Sequence, residues 1–375
     1  MASPSASIAL GCFVLATALG HWSLAWRRTW AGRYLDAISI MALSMYGLTH
    51  ASSLGSIYAA QGTYQVTMIW FFPYTVRRLL VDYPPLDKLG SPMPRWSIYE
   101  AYKVWCNPRD VPDPNNDPFR GTPSSKGKHF LHVLLMITIR FLTTALIIPI
   151  LAKILIGPFY VSDFSVDKIF PGLFDLTGLD IAKRAYLVFD WFWFCYNSLC
   201  IFHHILSILH VCLFRLDEPE EWPPLFGSWR KADSLRRFWG TCWHNLLSPT
   251  YIALATYLAR DLLLLPQGAR VTKVFVVACV YAAAAILHGL ISWLDGDPKP
   301  WTFAAYYVVQ FLGTAAEACV MGSTKRNAHG PLRIARGVAG WLWVVVWFLV
   351  TTSPLIYSQM ASAAAPAGAP PQTGT

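Results

Sequence analysis

The chain has 375 residues, 55% hydrophobic, 15% aromatic and only 14% charged, where a soluble globular protein carries about 25% charged residues. With 17 Trp and a mean hydropathy of +0.39, this excludes a cytosolic enzyme folded around a single apolar core. The formal net charge is +9, yet the basic residues sit in short segments between apolar runs, the mark of cytoplasmic loops and not of a nucleic-acid surface.

From the N-terminus, MASPSASIALGCFVLATALGHW has no basic leader and no small-residue cleavage site, so it reads as a retained first span. Apolar stretches then predict crossings at about 8–26, 36–60, 130–156, 185–214, 249–265, 271–294, 302–322 and 337–358, with a shorter ninth candidate at 64–76. Residues 131–156 (LHVLLMITIRFLTTALIIPILAKILI) and 337–357 (GVAGWLWVVVWFLVTTSPLIY) each reach the ~20 residues that a helix needs to traverse the hydrocarbon core. The 185–214 stretch is too long for one straight crossing and is expected to tilt or to extend beyond the bilayer. The predicted fold is an all-α polytopic bundle of about eight or nine spans with an amphipathic interfacial segment. Residues 1–361 are expected to form a single membrane domain, followed by an Ala/Pro/Gly-rich tail, 362–375, predicted to be disordered.

Three polar segments interrupt this pattern. Residues 82–129, rich in Pro, Asp and Lys, are expected to form a structured cytosolic loop; residues 157–184, carrying Asp163, Asp167, Asp175 and Asp180, look luminal; residues 215–248 are the most informative. The basic groups that orient the chain are Arg27, Arg28, Arg33, Arg77, Arg78, Lys325, Arg326, Arg333 and Arg336. Simple alternation places 323–336 on the wrong side if 27–33 and 215–248 are both cytosolic. Either one apolar stretch after residue 215 is re-entrant or interfacial, or the span count is off by one; irregular backbone at membrane depth is tolerated only beside protein or a water-filled cavity. Most of the cysteines (Cys12, Cys195, Cys200, Cys212, Cys279, Cys319) lie in apolar stretches without a CxxC pair and read as small buried hydrophobes.

Two segments carry the candidate chemistry. In DSLRRFWGTCWHNLL (233–247), Leu235, Phe238, Trp239, Cys242 and Leu246 recur at helical spacing, with Arg236, Arg237, Gly240 and His244 opposite. This predicts an amphipathic helix lying along the membrane or capping a cavity, entered through the acidic and then Pro- and aromatic-rich DEPEEWPPLFGSW (217–229). By spacing alone His244 either faces water beside the arginines or lines that cavity. In VYAAAAILHGLISWLDG (280–296), His288 sits deep in an apolar span, where an ionisable group faces the bundle interior or a chamber. Tyr281, Ser292 and Asp295 share its face, with the small Ala284 and Ala285 one turn earlier. A neutral imidazole bonded to a neighbouring helix accounts for His288 equally well.

His203, His204 and His210 offer no completed ligand set, so no metal site is expected. Arg140 and Glu317 are the other span residues expected to line a pathway or to pair internally. The sequence has no GxSxG elbow, no Walker loop, no GxGxxG and no HxxxD.

PPLFGSW, SLRRFWGTCWHNLL and the downstream AILHGLISW together resemble the wax-synthase-like branch of membrane-bound O-acyltransferases, strongly over about 215–295 and loosely elsewhere. Within that branch the resemblance is closest in character to fungal enzymes that O-acetylate terpenoids and meroterpenoids. It implies acyl transfer from acyl-CoA, acetyl-CoA foremost, to a hydrophobic alcohol in a membrane chamber, with no bound cofactor and with the endoplasmic reticulum as the expected site. His288 matches the family's buried catalytic His, His244 matches its second polar position, and Asn245 follows immediately. The stretch Asn107 to Asp110 is similar to the family's NPRG loop, but Asp110 replaces the Gly and no catalytic role is assigned to it.

A neutral imidazole at His288 would remove the alcohol proton as the oxygen attacks the thioester, while His244, with Asn245, would orient the thioester or donate to the developing oxyanion. No Ser or Cys stands in a recognisably activated setting, so direct transfer without an acyl-enzyme is predicted. Lys231, Arg236 and Arg237 are candidate partners for the CoA phosphates, or else ordinary cytosolic flanking charges. A long-chain acyl-CoA:fatty-alcohol wax synthase shares these motifs. A non-catalytic transporter or receptor of hydrophobic molecules shares the spans.

Overall fold

A computed structural model describes residues 4–26, 29–54, 58–82, 97–111, 125–164, 175–322 and 331–364. Among these every regular element is helical, so the all-α expectation holds. Six helices are long and apolar enough to cross a membrane: Pro4–Trp26, Lys126–Leu155, Gly178–Leu213, Arg270–Leu294, Thr302–Val320 and Ala335–Met360. The chain is a multi-pass membrane protein. Arg27, Arg28, Asp167, Lys325, Arg326 and the tail from residue 365 lie outside the described residues, as does the side chain of Arg333.

The remaining expected crossings are helical but not among those six. Trp30–Leu48 carries Arg33 and Asp36, and both are buried by neighbouring helices. The apolar stretch expected at 249–265 is helical only over Ser248–Leu262. At 1.5 Å per residue that is about 22 Å, short of a ~30 Å hydrocarbon core. Its helix is therefore shorter than the straight crossing expected there. Gly178–Leu213, by contrast, has 36 residues, roughly 54 Å of helix, which outruns the bilayer as expected.

The described chain divides into two compact units. The first comprises residues 1–111 and 245–295. It contains α1 (Pro4–Trp26), α2 (Trp30–Leu48), α3 (Tyr58–Thr75, continued by a widened turn to Asp82), α4 (Ile98–Trp105), α9 (Ser248–Tyr257, widened to Leu262) and α10 (Arg270–Leu294). Small residues let α1 approach its neighbours: Ala9 and Ala16 are fully buried, and a Cβ on Gly20 would lie 2.3 Å from the Trp105 ring. Beyond α3, Arg77 and Arg78 share two carboxylates. Asp82 lies 2.9 Å from Arg77 and 3.0 Å from Arg78, and Asp110 accepts from them at 2.5 and 2.7 Å. Asp110 adopts φ 52°, the left-handed region that glycine enters at no steric cost and that Asp tolerates. The replacement seen in the sequence therefore keeps the turn and adds a carboxylate that ties it to α3.

The second unit comprises residues 112–244 and 296–375. It contains α5 (Lys126–Leu142) running through a widened turn into α6 (Ile148–Leu155), α7 (Gly178–Ser207, widened to Leu213), α8 (Leu235–Arg237, widened to Cys242), α11 (Thr302–Gly322) and α12 (Pro331–Ala364). Polar side chains inside it pair with one another, as apolar surroundings require. Arg140 donates to Asn197 Oδ1 at 2.9 Å and lies 4.8 Å above the Tyr196 ring. Gln310 of α11 bridges Thr351 and Trp347 of α12 at 3.0 and 2.9 Å, and Gly313 admits the Trp347 ring beside them.

One expectation needs correction. Residues 233–247 do not form one amphipathic helix: helical structure starts at Leu235 and stops at Cys242, and Trp243 is extended (φ −68°, ψ 156°). Gly240, a poor helix former, lies in this run. The Trp243 amide bonds Phe238 O at 2.7 Å, five residues back, which widens the turn and ends it. Of the apolar set predicted for the buried side, Leu235, Phe238 and Cys242 are nevertheless buried and Trp239 and Leu246 partly buried, and the neighbouring Trp243 is buried too.

Candidate active site

The run Leu225–Gly227 is folded directly against the end of α8. The Gly227 amide donates to Cys242 O at 3.0 Å, Cys242 Sγ lies 3.1 Å from Ser228 O, and a Cβ on Gly227 would fall 1.9 Å from Thr241 O. Only glycine permits that approach, which gives a physical reason for the glycine in PPLFGSW. The other end of α8 is held by α11. Ser234 caps it through the Arg237 amide, and the buried Glu317 accepts the Leu235 amide at 2.7 Å and the Trp343 indole at 3.2 Å. From α12, Gly340 lies so close that a Cβ would sit 2.3 Å from Asp233 O, while the Trp341 indole donates to Trp229 O at 3.2 Å.

These clasps hold a cluster of rings. Phe238 stacks on Trp243 at 5.6 Å and 22°, Phe348 packs on Phe238 at 4.6 Å, and Phe192 meets Trp243 edge-on at 5.3 Å. His244 emerges from this cluster half-buried, its ring 5.7 Å from Phe226 and 5.6 Å from Trp243. Because Trp243 is extended, His244 is not on a helical face with the arginines. It leaves the aromatic cluster as the first residue after an abrupt stop. Lys231 and Arg236 are exposed, whereas Arg237 Nη1 is bound to both oxygens of Asp233 at 2.7 and 2.6 Å. All four of these polar residues, Lys231, Arg236, Arg237 and His244, belong to the second unit.

His288 and Asn245 belong to the first unit. Asn245 is exposed just ahead of α9, and its Oδ1 lies 3.4 Å from Ser248 Oγ. His288 is half-buried on α10, between Leu287 and Gly289, both buried, and one turn before the buried Ser292. Asp295, the last member of that polar stripe, is anchored by α3, accepting from Gln61 at 3.0 Å and Gln65 at 2.9 Å. This fixes the end of α10 against α3 and gives Asp295 a structural task. His203 and His210 instead pack around Trp222, at 5.1 and 5.5 Å. Among the described residues no group of three His, Cys, Asp or Glu side chains has the geometry of a metal site.

Sequence reading passed over Gly227 and left the partner of Glu317 open. Both were visible as residue types, a glycine in a motif and a carboxylate in a span. The contact each makes crosses separations of 15 and 82 residues, which local patterning does not report.

Residues 222–312 match the family model described as the membrane bound O-acyl transferase family, so the sequence segment that contains Gly227, His244 and His288 is the one shared with it. Among the curated proteins similar to this chain are three fungal acetyltransferases. The chain is 29% identical to acetyltransferase TRI7 of Fusarium sporotrichioides over 41% of this chain and 37% of that protein. It is 29% identical to acetyltransferase spyB of Aspergillus fumigatus over 43% and 30%, and 31% identical to acetyltransferase ataH of Aspergillus terreus over 41% and 51%. The match thus spans about a third to a half of those relatives' lengths. No solved structure gives a significant match.

Proposed function

We propose that the chain is a membrane O-acyltransferase that moves an acetyl group from acetyl-CoA to a hydroxyl of a hydrophobic secondary metabolite, of terpenoid or meroterpenoid type. The observation that carries this reading is the family match over 222–312, the stretch containing the clasped aromatic segment, His244 and His288, together with relatives named as acetyltransferases. Residues 1–361 would act as one catalytic domain, in the endoplasmic reticulum membrane.

His288 accepts the proton of the substrate hydroxyl as its oxygen attacks the thioester carbonyl; the resulting imidazolium returns the proton to the departing CoA thiolate. The C–O bond forms, the C–S bond breaks, and no redox partner or metal is consumed. Base assistance of this kind typically contributes ~10²–10⁴-fold. His244, with Asn245, orients the thioester and donates to the oxygen that gains charge, a contribution of roughly 10²–10³-fold in turnover where such donors have been removed. Lys231 and Arg236, exposed and cationic, are available to the CoA phosphates. Arg237 is already bound to Asp233 and contributes less.

The test is transfer in microsomes containing the full chain, with acetyl-CoA or palmitoyl-CoA offered against a terpenoid alcohol and a fatty alcohol. Acetyl ester on the terpenoid alcohol is the expected product. Wax ester alone would replace this reading by that of a long-chain wax synthase, and substrate binding without CoA release would replace it by a carrier. His288→Ala is expected to lose at least 10²-fold in turnover with insertion unchanged; activity within several-fold of the parent would overturn the base assignment.

A further inference from the structure

Outside the motif segment, the first unit brings together a thiol and a base that lie far apart in the sequence, where no activated cysteine is expected from the sequence. Cys106, exposed at the C-terminal end of α4, places its Sγ 3.6 Å from His21 Nε2 of α1. The other ring nitrogen, His21 Nδ1, lies 2.7 Å from Thr17 O. A carbonyl only accepts, so Nδ1 carries the hydrogen, and in the neutral ring Nε2 presents its lone pair to the thiol. The ring orientation is fixed as well: Tyr102 stacks on it at 6.1 Å and 9°, and Trp105 flanks it at 6.4 Å. Trp105 reaches that place because Gly20 has no side chain to obstruct it. Thiol, base and a third group that orients the base are the elements of an activated nucleophile.

The surroundings indicate the electrophile. Trp22 and Trp26, each nearly half exposed, form a paired aromatic belt at the end of α1, as helices do where they meet the headgroups. The short α4, fixed by its Ser97–Glu100 capping box, exposes Ile98 at 60% and Tyr99 at 52%, the apolar surface of an interfacial helix. A cysteine at the end of such a helix, beside a span, is placed where fatty acyl chains are attached.

We propose that Cys106 is an acyl acceptor, taking a long-chain acyl group from a fatty acyl-CoA with His21 as the base. The thiol passes its proton to His21 Nε2, sulfur attacks the thioester carbonyl, a new C–S bond forms as the CoA C–S bond breaks, and the imidazolium protonates the CoA thiolate. The product is a Cys106 thioester whose chain lies in the bilayer and pins α4 to its surface. This step uses none of the residues assigned to O-acyl transfer, and it stands whether or not that reading does.

The experiment is incubation of the purified full-length protein in nanodiscs with an alkyne-tagged palmitoyl-CoA, followed by mass spectrometry of the labelled peptide. Label on Cys106, released by neutral hydroxylamine, is expected in the parent, in Cys319→Ser and in His288→Ala, and is expected to vanish in Cys106→Ser. His21→Phe should slow labelling about tenfold or more and shift the pH profile of Cys106 alkylation by iodoacetamide to higher pH. Parent protein without label at Cys106, or Cys106→Ser labelled like the parent, would overturn the acceptor. An unchanged labelling rate and alkylation profile in His21→Phe would overturn the base.

Discussion

The carboxylate of Glu317 accepts the backbone amide of Leu235 at 2.7 Å, so a residue of α11 caps the short helix that leads into the aromatic segment. The same carboxylate takes the Trp343 indole of α12 at 3.2 Å, which makes Glu317 the joint of three elements. Removing it leaves two donors without their acceptor in apolar surroundings. Glu317→Ala is expected to cost about 1–3 kcal/mol, and Glu317→Gln, which keeps one acceptor oxygen, less. Unfolding midpoints in detergent check this, and equal midpoints for parent and Glu317→Ala would show the cap to be idle.

Gly227 is a second point at which one atom decides the geometry. A methyl group there meets Thr241 O at 1.9 Å, a contact that only separation of the two strands of chain relieves. Gly227→Ala is expected to lower turnover at least tenfold by displacing the segment that ends in His244, while Gly240→Ala, where a Cβ meets nothing within 4 Å, should be close to neutral. Comparing kcat of the two variants separates local crowding from the loss of a glycine as such.

At Asp110 backbone and charge can be separated. Asp110→Gly keeps the φ 52° turn but removes the carboxylate shared by Arg77 and Arg78, whereas Asp110→Ala loses both. Left-handed backbone costs a residue with a Cβ roughly 1–2 kcal/mol, so the Ala variant should melt below the Gly variant, and both below the parent. Thermal melts of the three proteins in one detergent decide the order.

The exposed cations make a prediction opposed to that of the paired one. Lys231→Ala and Arg236→Ala should raise KM for acyl-CoA several-fold, with the difference fading as salt screens the charges. Arg237→Ala, which frees Asp233, should change stability more than KM. Equal and salt-independent KM values across the set would return Lys231 and Arg236 to the role of orienting charges on a cytosolic loop.

Much of the fold could be read from hydropathy because the bilayer imposes a length and a composition that single residues cannot hide. The stretch 131–156 became Lys126–Leu155, and 271–294 became Arg270–Leu294. The readings that failed concern places where tertiary contacts overrule local pattern. Periodicity extended a helix through His244, but the Gly227–Cys242 bond, made across the fold, is favoured over its last turn. Of the candidate site residues, the sequence offers only residue types, a histidine in an apolar span and a motif of aromatics and glycine. The scaffold was not legible, because Glu317 and Gly340 act through distant backbone. Local pattern does not mark Cys106 for the same reason: its partner, His21, lies 85 residues earlier.

Gln310 is fully buried, its amide oxygen accepting from Trp347 and its amide nitrogen donating to Thr351 of the following helix. During synthesis α11 emerges from the ribosome before α12 exists, so for that interval it presents a bare carboxamide to lipid. The two helices are therefore expected to enter the bilayer together as a hairpin, and a chain cut short before residue 347 is expected to insert α11 less efficiently.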